Sequence, residues 1–211
     1  MDPRVQKIKE WLGTGSINIF GLPFSGKDTI GLRLAELLGA KLLSSGYILR
    51  SAEKEDKELA KVLAAGNLAP TDTFRRVIMP YFSRDELDGY PLVLSSVGRW
   101  SGEEFYIMNA AEDGGHPIKA VLLLNISEDE AKKRWEVSRT LGDRGDRSDD
   151  KEKAILDTRI KEFDTKTMPV IVTYNNKGLL IQVHATGDRD VVFNSVLDEL
   201  VKYIDNSAAT N

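Results

Sequence analysis

The chain has 211 residues, 41% of them hydrophobic, and a formal net charge of −4. This length accommodates one domain or a core with inserted lobes, and the apolar fraction suffices for a buried core. The acidic balance argues against a nucleic-acid partner bound through a basic surface. The absence of cysteine excludes disulfides, thiolate metal sites and a cysteine nucleophile. Two histidines, His116 and His184, are too few for a histidine metal cluster, and we expect His184 at the edge of the core.

The N-terminal segment reads MDPRVQKIKEWLG, which predicts a short amphipathic helix over 3–12 and lacks the pattern of a signal peptide. No apolar run approaches the length of a membrane span. We therefore expect a cytoplasmic monomer with no membrane partner.

The next part of the chain contains two short apolar runs and a series of helical patterns. The runs at 17–20 and 40–43 predict strands, and the helix between them begins near Lys27 and ends at Gly39. Three helical segments then follow without any strand pattern, which indicates a helical lobe inserted into a sheet protein. They are predicted at 46–53, 55–65 and 71–82.

The C-terminal part alternates strands with helices, so the whole pattern predicts an α/β doubly wound fold with five strands in a mostly parallel sheet. The continuous run AVLLL is typical of a fully buried parallel strand. The polar stretch at 141–150 predicts a surface loop, and the final SAATN predicts a frayed tail. Strands are predicted at 91–94, 120–124 and 179–183, and helices at 102–112, 128–140, 151–166, 169–175 and 190–203.

A glycine-rich loop, GLPFSGK, joins the first strand to the next helix. Strand, glycine-rich loop and helix in that order form the setting of a phosphate-binding loop. Gly21 and Gly26 allow the backbone to curl, the helix adds its positive N-terminal end, and Lys27 can reach a β- or γ-phosphate. The usual pattern has a hydroxyl residue after the lysine, whereas here Asp28 comes first and Thr29 second. The alternative is a strand–turn–helix whose lysine only caps the helix.

Further motifs follow in the order and spacing of the adenylate kinase family of nucleoside monophosphate kinases, which the chain resembles over nearly its whole length. Each motif alone is weak, but seven in the correct order leave little room for chance. The matches, each with the family pattern first, are G-x-P-G-x-G-K-G-T to FGLPFSGKDT, S-T-G-D-x-L-R to SSGYILR (44–50), G-x-L-V-P to GNLAP (66–70), D-G-F-P-R-T to SSVGRW (95–100), the arginine-bearing hinge before the lid to KKRWEVSR (132–139), R-x-D-D to RSDD (147–150), and R…Y…T-x-P-x-I to Arg159, Phe163 and TMPVI (167–171).

The resemblance implies a P-loop NTPase-type fold, with a five-stranded parallel sheet flanked by helices. It also implies an inserted helical lobe that binds the acceptor nucleoside monophosphate (NMP) and a short lid over the donor. On this basis the core comprises 1–44, 90–139 and 150–211, the NMP-binding lobe 45–89 and the lid 140–149. A short lid without cysteines cannot hold the zinc that some longer lids carry.

Motif position further implies the role of each matching residue. Arg50 and Arg99 should hold the acceptor phosphate, and Arg134 should stack on the donor base and contact its phosphates. Arg147 and Arg159 should close on the transferring group, because phosphoryl transfer needs positioned and spread positive charge. For every such arginine, and for Arg139 and Arg144, the alternative is a solvated surface charge. The implied catalytic residues are Lys27, Arg99, Arg134, Arg147 and Arg159; the ATP-binding residues are Phe24, Ser25, Gly26, Lys27, Asp28, Thr29, Arg134 and Arg139; the NMP-binding residues are Ser45, Arg50, Asn67, Ala69, Gly98, Arg99 and Glu103.

The chain also departs from the family patterns where a metal is concerned. Mg²⁺ is expected to bind with ATP, with Thr29 as a candidate contact and no metal held by the protein directly. In the family, two aspartates help to order the water shell of that Mg²⁺, and here they are replaced by Tyr47 and Ser95. These changes predict a weakened metal environment. In addition, Phe24 replaces a loop glycine and Gly98 replaces the proline before the acceptor arginine.

The residue expected to read the acceptor base is Glu103, where the family has glutamine. An ionised glutamate accepts hydrogen bonds and cannot donate them, so it suits guanine's N1–H and amino pair, or the amino group of cytosine, better than adenine. In the alternative, Glu103 points to solvent and Glu104 or neither residue reads the base. AMP is therefore the acceptor implied by the resemblance and not by the residues.

Two functions remain open from the sequence. The first is a kinase that transfers the γ-phosphoryl group of ATP to an NMP. The second is a catalytically weakened nucleotide-binding protein of the same fold, acting as a sensor or interaction module. The losses at Tyr47 and Ser95 favour the second, whereas the retention of Lys27 and the arginines favours the first. A GTPase is disfavoured because no switch-like D-x-x-G motif follows a later strand; the D-x-x-G at 28–31 lies within the helix after the phosphate loop.

Overall fold

The computed structural model describes residues 2–141 and 152–209. Five parallel strands form one sheet in the order β2-β3-β1-β4-β5, which confirms the predicted fold class. The strands are β1 (Ser16–Gly21), β2 (Lys41–Ser44), β3 (Leu92–Ser95), β4 (Ile118–Asn125) and β5 (Leu180–His184).

The helices cover both faces of this sheet. Several begin at side chains suited to N-capping; Asp2, for example, accepts a hydrogen bond from the backbone N–H of Arg4. The helices are α1 (Pro3–Leu12), α2 (Lys27–Leu38), α3 (Ser45–Ala52), α4 (Lys57–Ala64), α5 (Thr71–Ile78), α6 (Glu103–Asp113), α7 (Glu128–Leu141), α8 (Lys153–Glu162), α9 (Met168–Asn176) and α10 (Arg189–Ala208). None of those in the described ranges combines the length and the apolarity needed to cross a bilayer.

Alternate residues of the central strands supply the two faces of the core. Leu122 and Leu124 of β4 pack with α1, α2 and α10, whereas Val121 and Leu123 pack with α7, α8 and α9. A parallel sheet covered on both faces needs apolar side chains in both directions, which explains the continuous apolar run in β4.

The segment between β2 and β3 is helical throughout its regular elements. It holds α3, α4 and α5, and the 3-10 turns Met79–Ser83 and Asp85–Leu87. Its apolar side chains, such as Ile48 and Phe74, share one buried cluster with Leu92 and Leu94 of β3. The segment therefore packs directly on the sheet, next to the carboxyl end of β3.

Some predicted boundaries were wrong. The predicted helix over 71–82 becomes a 3-10 turn after Ile78, because Pro80 cannot donate the hydrogen bond that an α-helix needs there. A π-helical turn joins α8 to α9, so the chain passes Pro169 without leaving a helical path. α10 runs to Ala208 and so includes part of the predicted tail. His184 is exposed on the outer face of β5, not at the core edge.

Candidate functional site

The phosphate loop follows β1, and its glycines are required by its geometry. A Cβ atom at Gly21 would lie 2.5 Å from Ser25 Oγ and 2.9 Å from the carbonyl oxygen of Leu124, so no side chain fits there. Gly26 has a φ of 89° and immediately precedes the first residue of α2, Lys27. The Lys27 ammonium donates a hydrogen bond to the carbonyl oxygen of Leu22 over 3.2 Å. The N-terminus of α2 and the lysine thus meet at one anion-binding loop.

Phe24 and Ser96 are the non-glycine residues with positive φ in the described part of the chain, at 63° and 53°. Both stand where the family patterns have glycine, the residue that adopts a positive φ without steric cost. A left-handed conformation costs a residue with a Cβ about 1–2 kcal/mol. Gly98, by contrast, has a φ of 79°, which the family's proline could not adopt. The backbone therefore takes a different path at this position.

One cleft, called cleft A here, opens between the ends of β1 and β3 and the helices α3 to α6. It gathers the predicted NMP-binding residues except Gly98, which turns the chain behind it. Trp100, Glu53 and Phe74 also line it and were not predicted. The lining residues are Pro23, Lys27, Asp28, Ser44, Ser45, Gly46, Leu49, Arg50, Glu53, Leu63, Gly66, Asn67, Leu68, Ala69, Phe74, Ser95, Ser96, Arg99, Trp100, Glu103 and Arg159.

The arginines of cleft A form a site suited to an anion. Burial, together with the nearby positive charge of Arg159, lowers the pKa of Arg99 to about 10. Arg99 therefore stays protonated at neutral pH, although its Nε has no hydrogen-bond partner among the described residues. Arg50 also lies close to the backbone, since a Cβ at Gly46 would be 3.1 Å from its Nη1. A phosphate group would supply the negative charge and the acceptors that these guanidinium groups need.

Glu103 is buried and its carboxylate is engaged by the protein itself. Oε2 accepts hydrogen bonds from the backbone N–H groups of Arg99, at 2.8 Å, and Trp100, at 3.0 Å. Oε1 accepts one from the Thr71 hydroxyl at 2.9 Å. Burial raises the pKa of Glu103, and these hydrogen bonds oppose that rise. The alternative in which Glu103 points to solvent is wrong, because only 1% of the residue is exposed.

Hydrogen bonds between distant segments hold the walls of cleft A together. The Ser45 hydroxyl donates to the carbonyl oxygen of Ser96 over 2.7 Å. The indole N–H of Trp100 donates to the carbonyl oxygen of Ala69 over 3.0 Å. Glu162 of α8 accepts a hydrogen bond from the backbone N–H of Leu68 over 3.0 Å.

Asn18, which sequence reasoning missed, makes two further hydrogen bonds between distant segments. Asn18 lies in the apolar β1 and is fully buried. Its amide group donates to the carbonyl oxygen of Val97 over 2.7 Å and accepts from the backbone N–H of the same residue. A polar side chain within a buried apolar run was the available signal, because such a group must find a partner.

The second cleft, called cleft B, lies on the other side of the phosphate loop, between α2, α7 and the start of α10. It gathers all the predicted loop residues together with Arg134. The lining residues are Phe24, Ser25, Gly26, Lys27, Asp28, Thr29, Ile30, Glu130, Lys133, Arg134, Val137, Ser138, Leu141, Gly187, Asp188, Arg189 and Val192.

Arg134 is fixed in cleft B by hydrogen bonds to three residues, one on its own helix and two on other segments. Its guanidinium pairs with Glu130 at 2.7 Å and donates to the carbonyl oxygens of Ala185, at 2.7 Å, and Phe24, at 3.4 Å. Arg139 is not brought to this cleft, since its guanidinium lies 4.8 Å from the centre of the Trp135 ring.

Arg144, Arg147 and nearly all of the predicted lid lie outside the described residues.

Clefts A and B share Lys27 and Asp28, so they meet at the end of the phosphate loop. The Asp28 carboxylate accepts a hydrogen bond from the Ser95 hydroxyl over 2.7 Å. No cluster of three or more His, Cys, Asp or Glu side chains suited to a metal occurs in the described ranges. Mg²⁺ commonly needs only one or two carboxylates besides phosphates and water, and Asp28 beside Thr29 fits that requirement.

Tyr47 lines neither cleft and is 70% exposed.

The comparisons with known proteins agree with this arrangement. No protein-family model matches the chain. The chain is 32% identical over 195 residues to the adenylate kinase of Kocuria rhizophila, which covers 86% of this chain and 96% of that protein. It is 30% identical over 184 residues to the adenylate kinase of Clavibacter michiganensis subsp. michiganensis, covering 82% and 86%.

Among solved structures, a gluconokinase from Sinorhizobium meliloti 1021 superposes with a TM-score of 0.63 at 16% identity, covering 94% of this chain and 98% of that one. That likeness shows the fold, which is that of a P-loop kinase. The curated relatives match most of the chain and most of their own length, and they confirm the resemblance found in the motifs. The chain belongs to the adenylate kinase family of ATP-binding phosphotransferases.

Proposed function

We propose that the protein is a nucleoside monophosphate kinase that transfers the γ-phosphoryl group of ATP to an NMP, with AMP as the acceptor named by its relatives. The observation that carries this proposal is the meeting of the two clefts at Lys27 and Asp28. Transfer between two nucleotides requires two sites that adjoin at the phosphates, and a protein that only binds one nucleotide has no need of the second.

Cleft B is the proposed ATP site. The loop from Phe24 to Thr29 would cradle the phosphates through backbone N–H groups and Lys27. Arg134, already oriented by its hydrogen bonds to Ala185 and Phe24, would contact the donor nucleotide. Arg147 is proposed from its motif position alone.

Cleft A is the proposed NMP site, and the helical segment 45–89 is the proposed NMP-binding lobe. Arg50 and Arg99 would hold the acceptor phosphate, while Arg159 would face the transferred group. An oxygen of the acceptor phosphate attacks the γ-phosphorus as the bond to the ADP oxygen breaks, so negative charge accumulates between the clefts. Paired guanidinium groups at that point stabilise the transition state and orient the two chains of phosphates.

The residues at the junction of the clefts fit a divalent cation bound with ATP. The Thr29 hydroxyl would contact the ion, and the Asp28 carboxylate would hold it through bound water. When bound, Mg²⁺ neutralises charge on the transferring phosphates. Closure of the lobe and of the segment proposed as the lid, 140–149, would exclude water and so prevent hydrolysis of ATP.

The bonding of Glu103 leaves it little capacity to contact an acceptor base. A carboxylate offers about four acceptor positions, and three are used by Arg99, Trp100 and Thr71, so about one remains. That position can accept one hydrogen bond from a base, whether from an exocyclic amino group or from a ring N–H. Glu103 is therefore proposed to position the wall of cleft A, and AMP is proposed as the acceptor from the family resemblance.

The second candidate is a nucleotide-binding protein that has lost most catalysis. The exposed position of Tyr47 favours it, because that side chain replaces an expected carboxylate and supplies nothing to either cleft. Against it stand the four cations of cleft A, Lys27, Arg50, Arg99 and Arg159, which a protein that binds ATP alone does not need.

The test is a coupled assay with ATP and Mg²⁺ and with AMP, GMP, CMP, UMP and dTMP in parallel. Lys27→Ala provides the blank, and Lys61→Ala, at an exposed lysine of α4, provides the matched control. We expect transfer to at least one of these acceptors, no transfer with Lys27→Ala and normal transfer with Lys61→Ala. Failure with every acceptor, when calorimetry detects ATP binding, would instead establish the weakened protein.

A further inference from the structure

Two departures from the family patterns meet in one contact. Asp28 stands where G-K-G-T has a glycine after the lysine, and Ser95 stands where D-G-F-P-R-T has its aspartate. Although 67 positions separate them, the Ser95 hydroxyl donates a hydrogen bond of 2.7 Å to Asp28 Oδ1. The acidic group has thus moved from the end of β3 to the first turn of α2, while remaining at the same place between the clefts.

We propose that Asp28 replaces the missing carboxylate of β3 and orders the water shell of the divalent cation bound with ATP. The proposal rests on the proposed function only in requiring that ATP binds in cleft B. It makes Asp28 a positioning residue of the phosphate site, and it revises the expectation that the metal environment lost both of its carboxylates.

The location of Asp28 distinguishes it from the other carboxylates of cleft B. Glu130 is paired with Arg134 at 2.7 Å, on the wall away from cleft A. Asp188 caps α10 and accepts hydrogen bonds from two of its backbone N–H groups. Within the described residues, Asp28 is the carboxylate that borders both clefts, next to Lys27.

The chemistry of this position suits a metal's outer shell. Mg²⁺ keeps several waters, and groups that hold those waters orient the ion and tune its affinity. The N-terminus of α2 favours the ionised form of an acid in its first turn. The hydrogen bond from Ser95 fixes the orientation of the Asp28 carboxylate, as an ordering role requires.

The same contact explains why Ser95 is not acidic. With Asp28 present, an aspartate at position 95 would bring two carboxylates together, and two such groups cannot both ionise without mutual destabilisation. Hence either position can carry the acid, and both together are unfavourable. The family's patterns and this chain represent two solutions of one electrostatic requirement.

The test measures binding without turnover, with Mn²⁺ as the probe. The affinity of Mn²⁺ for the protein saturated with a non-hydrolysable ATP analogue is measured by electron paramagnetic resonance, with no acceptor present. ATP affinity in EDTA is measured separately by calorimetry. Asp28→Asn keeps an acceptor for Ser95 and removes only the charge. We expect it to lower Mn²⁺ affinity about 10-fold, and to leave metal-free ATP affinity unchanged or higher because a negative charge next to the phosphates is lost.

The second part of the test moves the carboxylate from position 28 back to position 95. Asp28→Gly should lower Mn²⁺ affinity, whereas the double variant Asp28→Gly/Ser95→Asp should restore it, because a carboxylate then stands at the end of β3. Compensation of the first substitution by the second identifies two positions that share one role. The matched control is Asp72→Asn, which removes an exposed acid from the first turn of α5. It should leave Mn²⁺ affinity unchanged.

The outcomes separate the two proposals. If wild type binds the ATP analogue and Mn²⁺, but Asp28→Asn and Asp28→Gly both keep wild-type Mn²⁺ affinity, the role of Asp28 is overturned and the proposed function stands. If the double variant binds Mn²⁺ no more tightly than Asp28→Gly does, the shared role is overturned. If wild type does not bind the ATP analogue, both proposals are overturned.

Discussion

Clefts A and B adjoin at the same loop, yet their walls are built differently. Cleft B depends on one local stretch, the phosphate loop with the start of α2, and on Arg134 reaching across. Cleft A depends on hydrogen bonds between segments far apart in the chain, such as Ser45 to Ser96 and Glu103 to Thr71. Substitutions in cleft B should therefore act on the donor phosphates directly, whereas many substitutions in cleft A should act through the position of Arg99.

The largest effect is expected at the loop that both clefts share. Lys27→Ala removes the cation nearest the phosphates, and transfer should fall by at least about 10²–10³-fold, the cost typical of losing one such electrostatic contact. The far-UV circular dichroism and melting temperature should stay close to wild type because Lys27 is only half-buried and lies outside the hydrophobic core. Retention of activity would show that the phosphate loop has been assigned wrongly.

Arg99→Ala tests whether cleft A acts on the acceptor alone. Loss of a charged hydrogen-bonding group is worth about 1.5–3 kcal/mol, or about 10–100-fold in kcat/KM for the NMP. ATP affinity, measured by calorimetry without acceptor, should change little. Arg99→Lys should recover only part of the loss, because an ammonium cannot reproduce bidentate contacts. An equal loss for ATP and NMP would contradict the division into two sites.

Glu103→Gln tests the positioning role of the buried carboxylate. The amide keeps one acceptor oxygen but sets an NH₂ group against donors of the Arg99–Trp100 turn or Thr71. We expect acceptor KM to rise for all NMPs together, at a cost of about 1–3 kcal/mol. A change in the preferred base, with KM for the others unaltered, would instead make Glu103 a reader of the base.

The same variant gives a pH test. The pKa of Glu103 is raised in the folded state, so between its ordinary value of 4.5 and that raised value the unfolded chain loses the proton first. The stabilisation that protonated Glu103 gives to the folded wild type should therefore be lost as pH rises through that window. Glu103→Gln cannot titrate at this position, so its stability should not change for this reason. Urea unfolding of both proteins from pH 4 to pH 7 should show their difference in unfolding free energy shifting in favour of the variant. Parallel curves would contradict the inference.

The smallest expected effect concerns backbone strain at Ser96, in the wall of cleft A. Ser96 has a φ of 53°, and glycine adopts that conformation without steric cost. The gain of about 1–2 kcal/mol from relieved strain is partly offset by about 0.4–1 kcal/mol of extra chain entropy in the unfolded state. Ser96→Gly should thus raise the melting temperature slightly and leave transfer unchanged. A fall in melting temperature would mean that the Ser96 hydroxyl contributes more than the strain costs.

The sequence alone predicted the features that depend on neighbouring residues in the chain. The strand, the phosphate loop and α2 follow from contiguous glycines, a lysine and apolar periodicity, and the sheet follows from the apolar runs. It could not predict the Asp28–Ser95 hydrogen bond, because neither residue signals a partner 67 positions away. The engagement of Glu103 by Thr71 was missed for the same reason.

Roles taken from motif position also had limits. Gly98 turns the chain behind cleft A, because its positive φ gives the backbone a path that the family's proline cannot follow. Arg139 stacks on Trp135 because the two lie one turn apart on the same face of α7. The position of Trp100 in cleft A was not predicted, because its indole N–H is held by the carbonyl oxygen of Ala69, which lies in another segment.

The most direct test of two adjoining nucleotide sites uses one molecule that spans both, two adenosines joined through five phosphates. Calorimetry should show one molecule bound per chain, with an affinity well above that of ATP, because the linked halves bind with a high effective concentration. The compound should exclude ATP and AMP together, and Arg99→Ala should remove most of its advantage over ATP. Binding no tighter than that of ATP, or two molecules per chain, would contradict a shared junction at Lys27 and Asp28.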